Sequence, residues 1–135
     1  MWSAALVPVL LAAVVSALLG FVWYHPRAFG SSWMRLSGIS PEAVELGRRR
    51  MHRNAALALL AGAVAALVLR AFEIGLGVYD VRGAVQVGFF AWLGFVAPAL
   101  LGVVLWEQKP FFLYVINAGY WLVSLLAMSV ILIFA

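Results

Sequence analysis

Charged residues divide this chain into four uncharged stretches: Trp2–Tyr24, Asn54–Leu69, Gly83–Trp106 and Pro110–Ala135. A helix rises about 1.5 Å per residue, so about 20 apolar residues cross a hydrocarbon core of about 30 Å. Three of the stretches reach that length unaided. Asn54–Leu69 reaches it if Arg70 snorkels outward and Ala71-Phe72 lie at the interface. Only Glu107-Gln108-Lys109 separates the last two stretches, a connection too short for anything except antiparallel neighbours. The pattern predicts an all-α membrane protein. Four transmembrane helices, at about 3–24, 53–72, 84–106 and 110–134, form two antiparallel hairpins in one integral membrane domain.

The connections carry their own signals. No Lys or Arg precedes the first stretch, so it reads as a retained helix and not a cleaved leader. Trp23-Tyr24-His25-Pro26 ends it, with aromatic rings at headgroup level and a proline that disfavours helical geometry at His25. Arg27–Gly38 mixes Phe29, Trp33, Met34 and Leu36 with Arg27 and Arg35, and is expected to lie along the interface. Ser40-Pro41-Glu42 reads as a helix start that extends the second spanning helix backwards through Arg48–Arg53. Glu73–Arg82, with Gly75 and Gly77 as breakers, reads as a loop in which Glu73 pairs with Arg70.

Composition changes the picture little. The chain is 67% hydrophobic and 10% charged, with a mean hydropathy of +1.09, which excludes a soluble core. It contains no cysteine. Charge placement sets topology. With loop 25–53 cytoplasmic, Arg27, Arg35, Arg48, Arg49, Arg50, Arg53 and Lys109 lie inside, and only Arg70 and Arg82 lie outside. Both termini are then outside, in a multi-pass membrane protein. Arg48, Arg49, Arg50 and Arg53 are expected to touch lipid headgroups, which makes the lipid bilayer the first partner. His25 and His52 bracket the loop without metal-ligand spacing, so no metal and no cofactor is expected. No soluble basic module is present for nucleic acid.

Candidate chemistry is sparse. Asn117, Tyr120 and Ser124 share a face of the fourth helix, with Trp121 alongside. Asn in hydrocarbon needs a hydrogen-bonding partner. Two accounts fit: Asn117 patches the carbonyl freed by Pro98 on the third helix, or the face lines a small polar cavity for a ligand. Glu107, in the tight turn, either faces headgroups or holds an arginine of the first loop. Ala12, Ser16 and Gly20 form one small-residue stripe, and Ala58, Gly62 and Ala66 another. The helix that carries the second stripe is the most Ala-rich, and is expected inside the bundle or at a subunit interface. Leu19-Gly20-Phe21-Val22 is echoed by Leu93-Gly94-Phe95-Val96, a weak hint of two repeated hairpins.

Two segments together resemble a known family. One is Gly20…Trp23-Tyr24…Pro26…Phe29-Gly30…Trp33-Met34. The other is Trp92-Leu93-Gly94-Phe95-Val96-Ala97-Pro98, Glu107…Pro110 and Ile116-Asn117-Ala118-Gly119-Tyr120…Leu122-Val123-Ser124. The chain is similar to the family of domain of unknown function 1761, small bacterial proteins with four membrane helices. The resemblance implies architecture alone, because that family carries no established activity. Its turn usually reads Glu-Gly-Arg-Pro, where this chain has Glu107-Gln108-Lys109-Pro110. Three function classes fit. The first is a non-enzymatic module that packs as a homo-oligomer or within a larger membrane complex. The second is an oligomeric pore or carrier for a small solute, lined by the Asn117 face. The third is a small membrane enzyme acting on lipophilic substrates. Arg50-Met51-His52-Arg53-Asn54 is faintly similar to the basic segment of four-helix glutathione-dependent membrane enzymes, but Leu57 stands where an acid would be wanted.

Overall fold

A computed structural model describes residues 2–134, with side chains from residue 6 onward. The described residues are helical, with α1 at Trp2–Trp23, α2 at Ser31–Ser37, α3 at Pro41–Arg49 and α4 at Met51–Leu76. A further helical run, α5, spans Val81–Leu105, and α6 spans Phe111–Leu132. Within these, Leu6–Trp23 and the whole of α4, α5 and α6 are long and apolar enough to cross a membrane.

Local chemistry sets the ends. Ser40 Oγ accepts from the Ala43 amide and Pro41 opens α3, so the cap forms where the sequence suggests, but the helix breaks at Arg50 (φ -100, ψ 20) and α3 does not run on into α4 as the sequence suggests. Asp80 Oδ1 accepts from the Gly83 amide at 2.9 Å and starts α5. Gly38 (φ 70) and Gly77 (φ 68) close α2 and α4 in the left-handed region. Glu73 and Gly75 lie inside α4, so the loop expected from Glu73 is confined to Gly77–Asp80. Glycine inside a long apolar helix costs only about 1 kcal/mol, too little to end it.

α6 buries the largest share of its residues, and it is the helix around which the others sit. It packs against α1 and α5, and more lightly against α4. α1 packs closely on α4: a Cβ on Gly62 would lie 3.3 Å from the Ala13 Cα. A Cβ on Gly88 would lie 3.0 Å from the Leu125 carbonyl, so α5 and α6 also meet backbone to backbone. The Gly62–Ala66 part of the small-residue stripe faces inward, whereas Ala58 is exposed. α4 as a whole is therefore peripheral and not central, because α6 occupies the middle.

α5 is not uniform. Residues Trp92–Val96 form a π turn, and the Ala97 amide reaches back to the Trp92 carbonyl. The widened turn accommodates Pro98, which has no amide hydrogen and would crowd the carbonyl four residues before it. Leu19–Val22 lies in regular helix, so the echoed motif takes two different conformations. At the turn before α6, Gln108 adopts φ 57, and Lys109 Nζ donates to the Ser37 carbonyl at the end of α2, 2.9 Å away. Glu107 is exposed, and among the described residues it holds no arginine; Lys109 is what ties this turn to the loop helix.

Candidate functional site

The polar residues of α6 face α1. Tyr24 Oη donates to Asn117 Oδ1 at 2.7 Å, and Tyr120 Oη donates to the Ser16 carbonyl at 2.8 Å. Ser16 Oγ lies 2.6 Å from Ser124 Oγ and 3.2 Å from Tyr120 Oη. Trp23 Nε1 adds a bond to the Ile116 carbonyl. Asn117, Tyr120 and Ser124 thus share one face, and Ser16 and Tyr24 answer them from α1. Ser16 and Ser124 are buried, which makes their mutual bond necessary in an apolar interior.

Asn117 does not patch the Pro98 kink. Its carbonyl is taken by Tyr24, and it is Tyr114 Oη that reaches α5, donating to the Ala97 carbonyl at 2.8 Å. Trp92 Nε1 closes the same seam by donating to the Ala118 carbonyl. Tyr114 and Ala118 are four apart and face α5; Asn117, three beyond Tyr114, points to the adjoining side. Depth along the helix suggests the Pro98 pairing, but helical phase rules it out.

Beside this seam, α1, α4 and α6 leave a cleft of about 340 Å³. Ser16, Tyr120 and Trp121 line one wall, and Ala55, Ala58 and Ala61 of α4 line the other. A second cleft of about 660 Å³ lies between the end of α1, α2, α3 and the start of α4. Trp33, Met34 and Val44 give it an apolar floor, and Arg48 stands at its edge. Tyr24, Met51 and Asn54 line both, so the two clefts meet there. Arg48 and Arg49 also lie near Glu45, at 3.9 and 3.6 Å, while Arg50 and Arg53 are exposed. Arg53 Nη2 donates to Asn54 Oδ1 at 3.3 Å.

A family model described as a protein of unknown function, DUF1761, matches residues 7–133. The chain belongs to the DUF1761 family. No curated protein and no solved structure matches it. The residues that carry the DUF1761 resemblance are those that join the helices: Trp23, Tyr24, Trp92, Asn117, Tyr120 and Ser124 all hold bonds across α1, α5 and α6. Gln108, in the turn before α6, takes the left-handed conformation.

Several residues of the site escape sequence reading. Ser16 carries a signal, since it sits in the four-residue stripe that meets α6. Tyr24 reads equally well as an interfacial anchor. Asn54 borders the arginine cluster and is masked by it. Glu73 and Ser129, which meet at 2.8 Å in the interior, have no pattern linking them.

Proposed function

We propose that this DUF1761 protein is a non-enzymatic module of the bacterial inner membrane that holds a membrane amphiphile. In this reading its spanning helices form two antiparallel hairpins, α2 lies in the interface, loop 25–53 is cytoplasmic and both termini are outside. The charge distribution supports that topology. The single observation that carries the ligand reading is the meeting of the two clefts at Tyr24, Met51 and Asn54. One end is walled by alanines and suits an acyl chain. The other ends at Arg48 and suits an anionic headgroup. The hydroxyls of Ser16, Tyr120 and Ser124 are engaged with one another, which favours binding over chemistry. The carrier reading therefore moves from Asn117 itself to the cleft beside it, with Ser16, Tyr120 and Trp121 along one wall, Ser124 buried behind Ser16, and Glu107 outside it.

Mass measurement of the intact protein, purified gently and then washed with delipidating detergent, tests this. A lipid of defined mass should stay bound to the natural chain. Ala58→Phe should fill the cleft and abolish retention, and Arg48→Gln should weaken preference for anionic lipid. Equal retention by Ala58→Phe and the natural chain would sink the proposal.

Packing with copies of itself or with a larger membrane partner is the second reading. An apolar cleft of about 500 Å³ between α4 and α5, lined by Phe72, Leu76, Val87, Phe90 and Phe95, supports it. The same mass measurement reports copy number and partners.

A further inference from the structure

Among the described residues, one side-chain hydrogen bond joins α4 to another helix, and a carboxyl group makes it. Glu73 is 0% exposed. Its Oε2 lies 2.8 Å from Ser129 Oγ on α6, and the same Oγ lies 2.7 Å from the Ala84 carbonyl oxygen on α5. Glu73 Oε1 stands 3.5 Å from Arg70 Nη1 without a hydrogen bond, and Arg70 Nε and Nη1 are buried without partners. Arg70 does not snorkel away as its position suggests: only 15% of its side chain is exposed.

The hydrogens decide what this arrangement means. A serine hydroxyl carries one hydrogen and donates once. Three oxygens in a row, on Glu73, Ser129 and Ala84, need two. The missing hydrogen can come only from Glu73. With the carboxyl protonated, Glu73 donates to Ser129 and Ser129 donates to Ala84. With the carboxyl ionised, Ser129 turns its hydrogen to Glu73, and Arg70 supplies the counter-charge. The positions seen here, with Ser129 Oγ 2.7 Å from the Ala84 carbonyl oxygen, fit the protonated state; on ionisation that pair loses its hydrogen and moves apart.

We propose that Glu73, Ser129 and Arg70 form a proton-binding site where α4, α5 and α6 meet. A proton from water adds to Glu73 Oε2, turning carboxylate into carboxylic acid. No other bond forms or breaks, and the Arg70–Glu73 pair passes from neutral to one positive charge. Arg70, partly exposed, is the link to the surface. Charged neighbours are few. α6 and α1 contain no Asp, Glu, Lys or Arg, and α4 brings Arg70. α5 and its cap bring Asp80, held by the Gly83 amide, and exposed Arg82. A buried ion pair serving only stability would have its remaining donors and acceptors satisfied, and this one does not. Ionisable groups inside membrane-spanning helices characteristically mark proton and ion paths.

The chain has five acidic side chains, so changing Glu42, Glu45 and Glu107 to Gln and Asp80 to Asn leaves Glu73 alone. Infrared difference spectra of that variant in lipid discs, between about pH 4 and 9, follow the carboxylic-acid carbonyl band across the range where carboxyls titrate in proteins. The band should appear on acidification, shift in Ser129→Ala and vanish in Glu73→Gln. Isotope-labelled glutamate assigns it without a substitution if Glu73→Gln does not fold, and in the natural sequence if the multiple variant does not fold. A spectrum lacking any such buried band, a band constant at every pH, or a band indifferent to Ser129→Ala would overturn the proposal.

Discussion

The Tyr24 hydroxyl and the Asn117 amide oxygen, 2.7 Å apart, join the end of α1 to the first turns of α6. Interhelical polar contacts in membranes contribute about 0.6–2 kcal/mol. Tyr24→Phe and Asn117→Leu should therefore each destabilise the protein modestly, and a double-mutant cycle should return a coupling in that range. Pro98→Ala should show no coupling to Asn117→Leu. Unfolding in detergent reads both cycles, and additivity for Tyr24 with Asn117 would contradict the bond.

Gly62 supports the α1–α4 contact. A Cβ there would already press on the Ala13 Cα, and the neighbour is backbone, which cannot rotate away. Gly62→Leu should destabilise by about 1–3 kcal/mol through overpacking. Leu at Val64, which is exposed, should be nearly neutral. An unchanged melting temperature for Gly62→Leu would mean that α1 and α4 are not packed this way.

Much of this was legible from residue order, and the limits have physical causes. Four spanning lengths follow from charge spacing, and the Ser40 cap from its side chain. The common face of Asn117, Tyr120 and Ser124 follows from helical period. The neighbour that this face meets does not, because periodicity fixes phase within a helix and says nothing of rotation between helices. The extension of α4 through Glu73 was hidden by Gly75, whose cost inside a helix is too small to end it, whereas Gly77 does close the helix. The burial of Glu73 against Ser129 joins residues far apart in the chain, each unremarkable alone.

Gln108 occupies the left-handed region without being glycine. That conformation costs an L-residue roughly 1–2 kcal/mol, part of which glycine's greater freedom in the unfolded chain offsets. Gln108→Gly should raise stability by about 0.5–1 kcal/mol in thermal unfolding. A loss of stability would show that the Gln108 side chain, which donates to the Leu105 carbonyl, outweighs the strain.

Single cysteines at Ser31 and Gly77 report sidedness, since the chain has none of its own. In intact cells an impermeant thiol reagent should label position 77 and leave position 31 untouched. The reverse pattern would invert the proposed topology.

The π turn in α5 also bears on how this helix can change in length. Ala84, Gly88 and Trp92 meet α6 before the turn, and Ala97 meets it afterwards. A π turn holds one residue more than an α turn, and in regular register Val96 would take the place of Ala97. Deleting Gly94, around which a Cβ would find open space, would erase the wide turn and leave Ala97 under Trp92. Elsewhere in a spanning helix, a lost residue rotates everything beyond it by about 100° and exchanges its inner and outer sides. Here the helix stores a spare residue, so deleting Gly94 would keep both halves aimed at the same neighbour, at the cost of setting Pro98 against the Leu93 carbonyl.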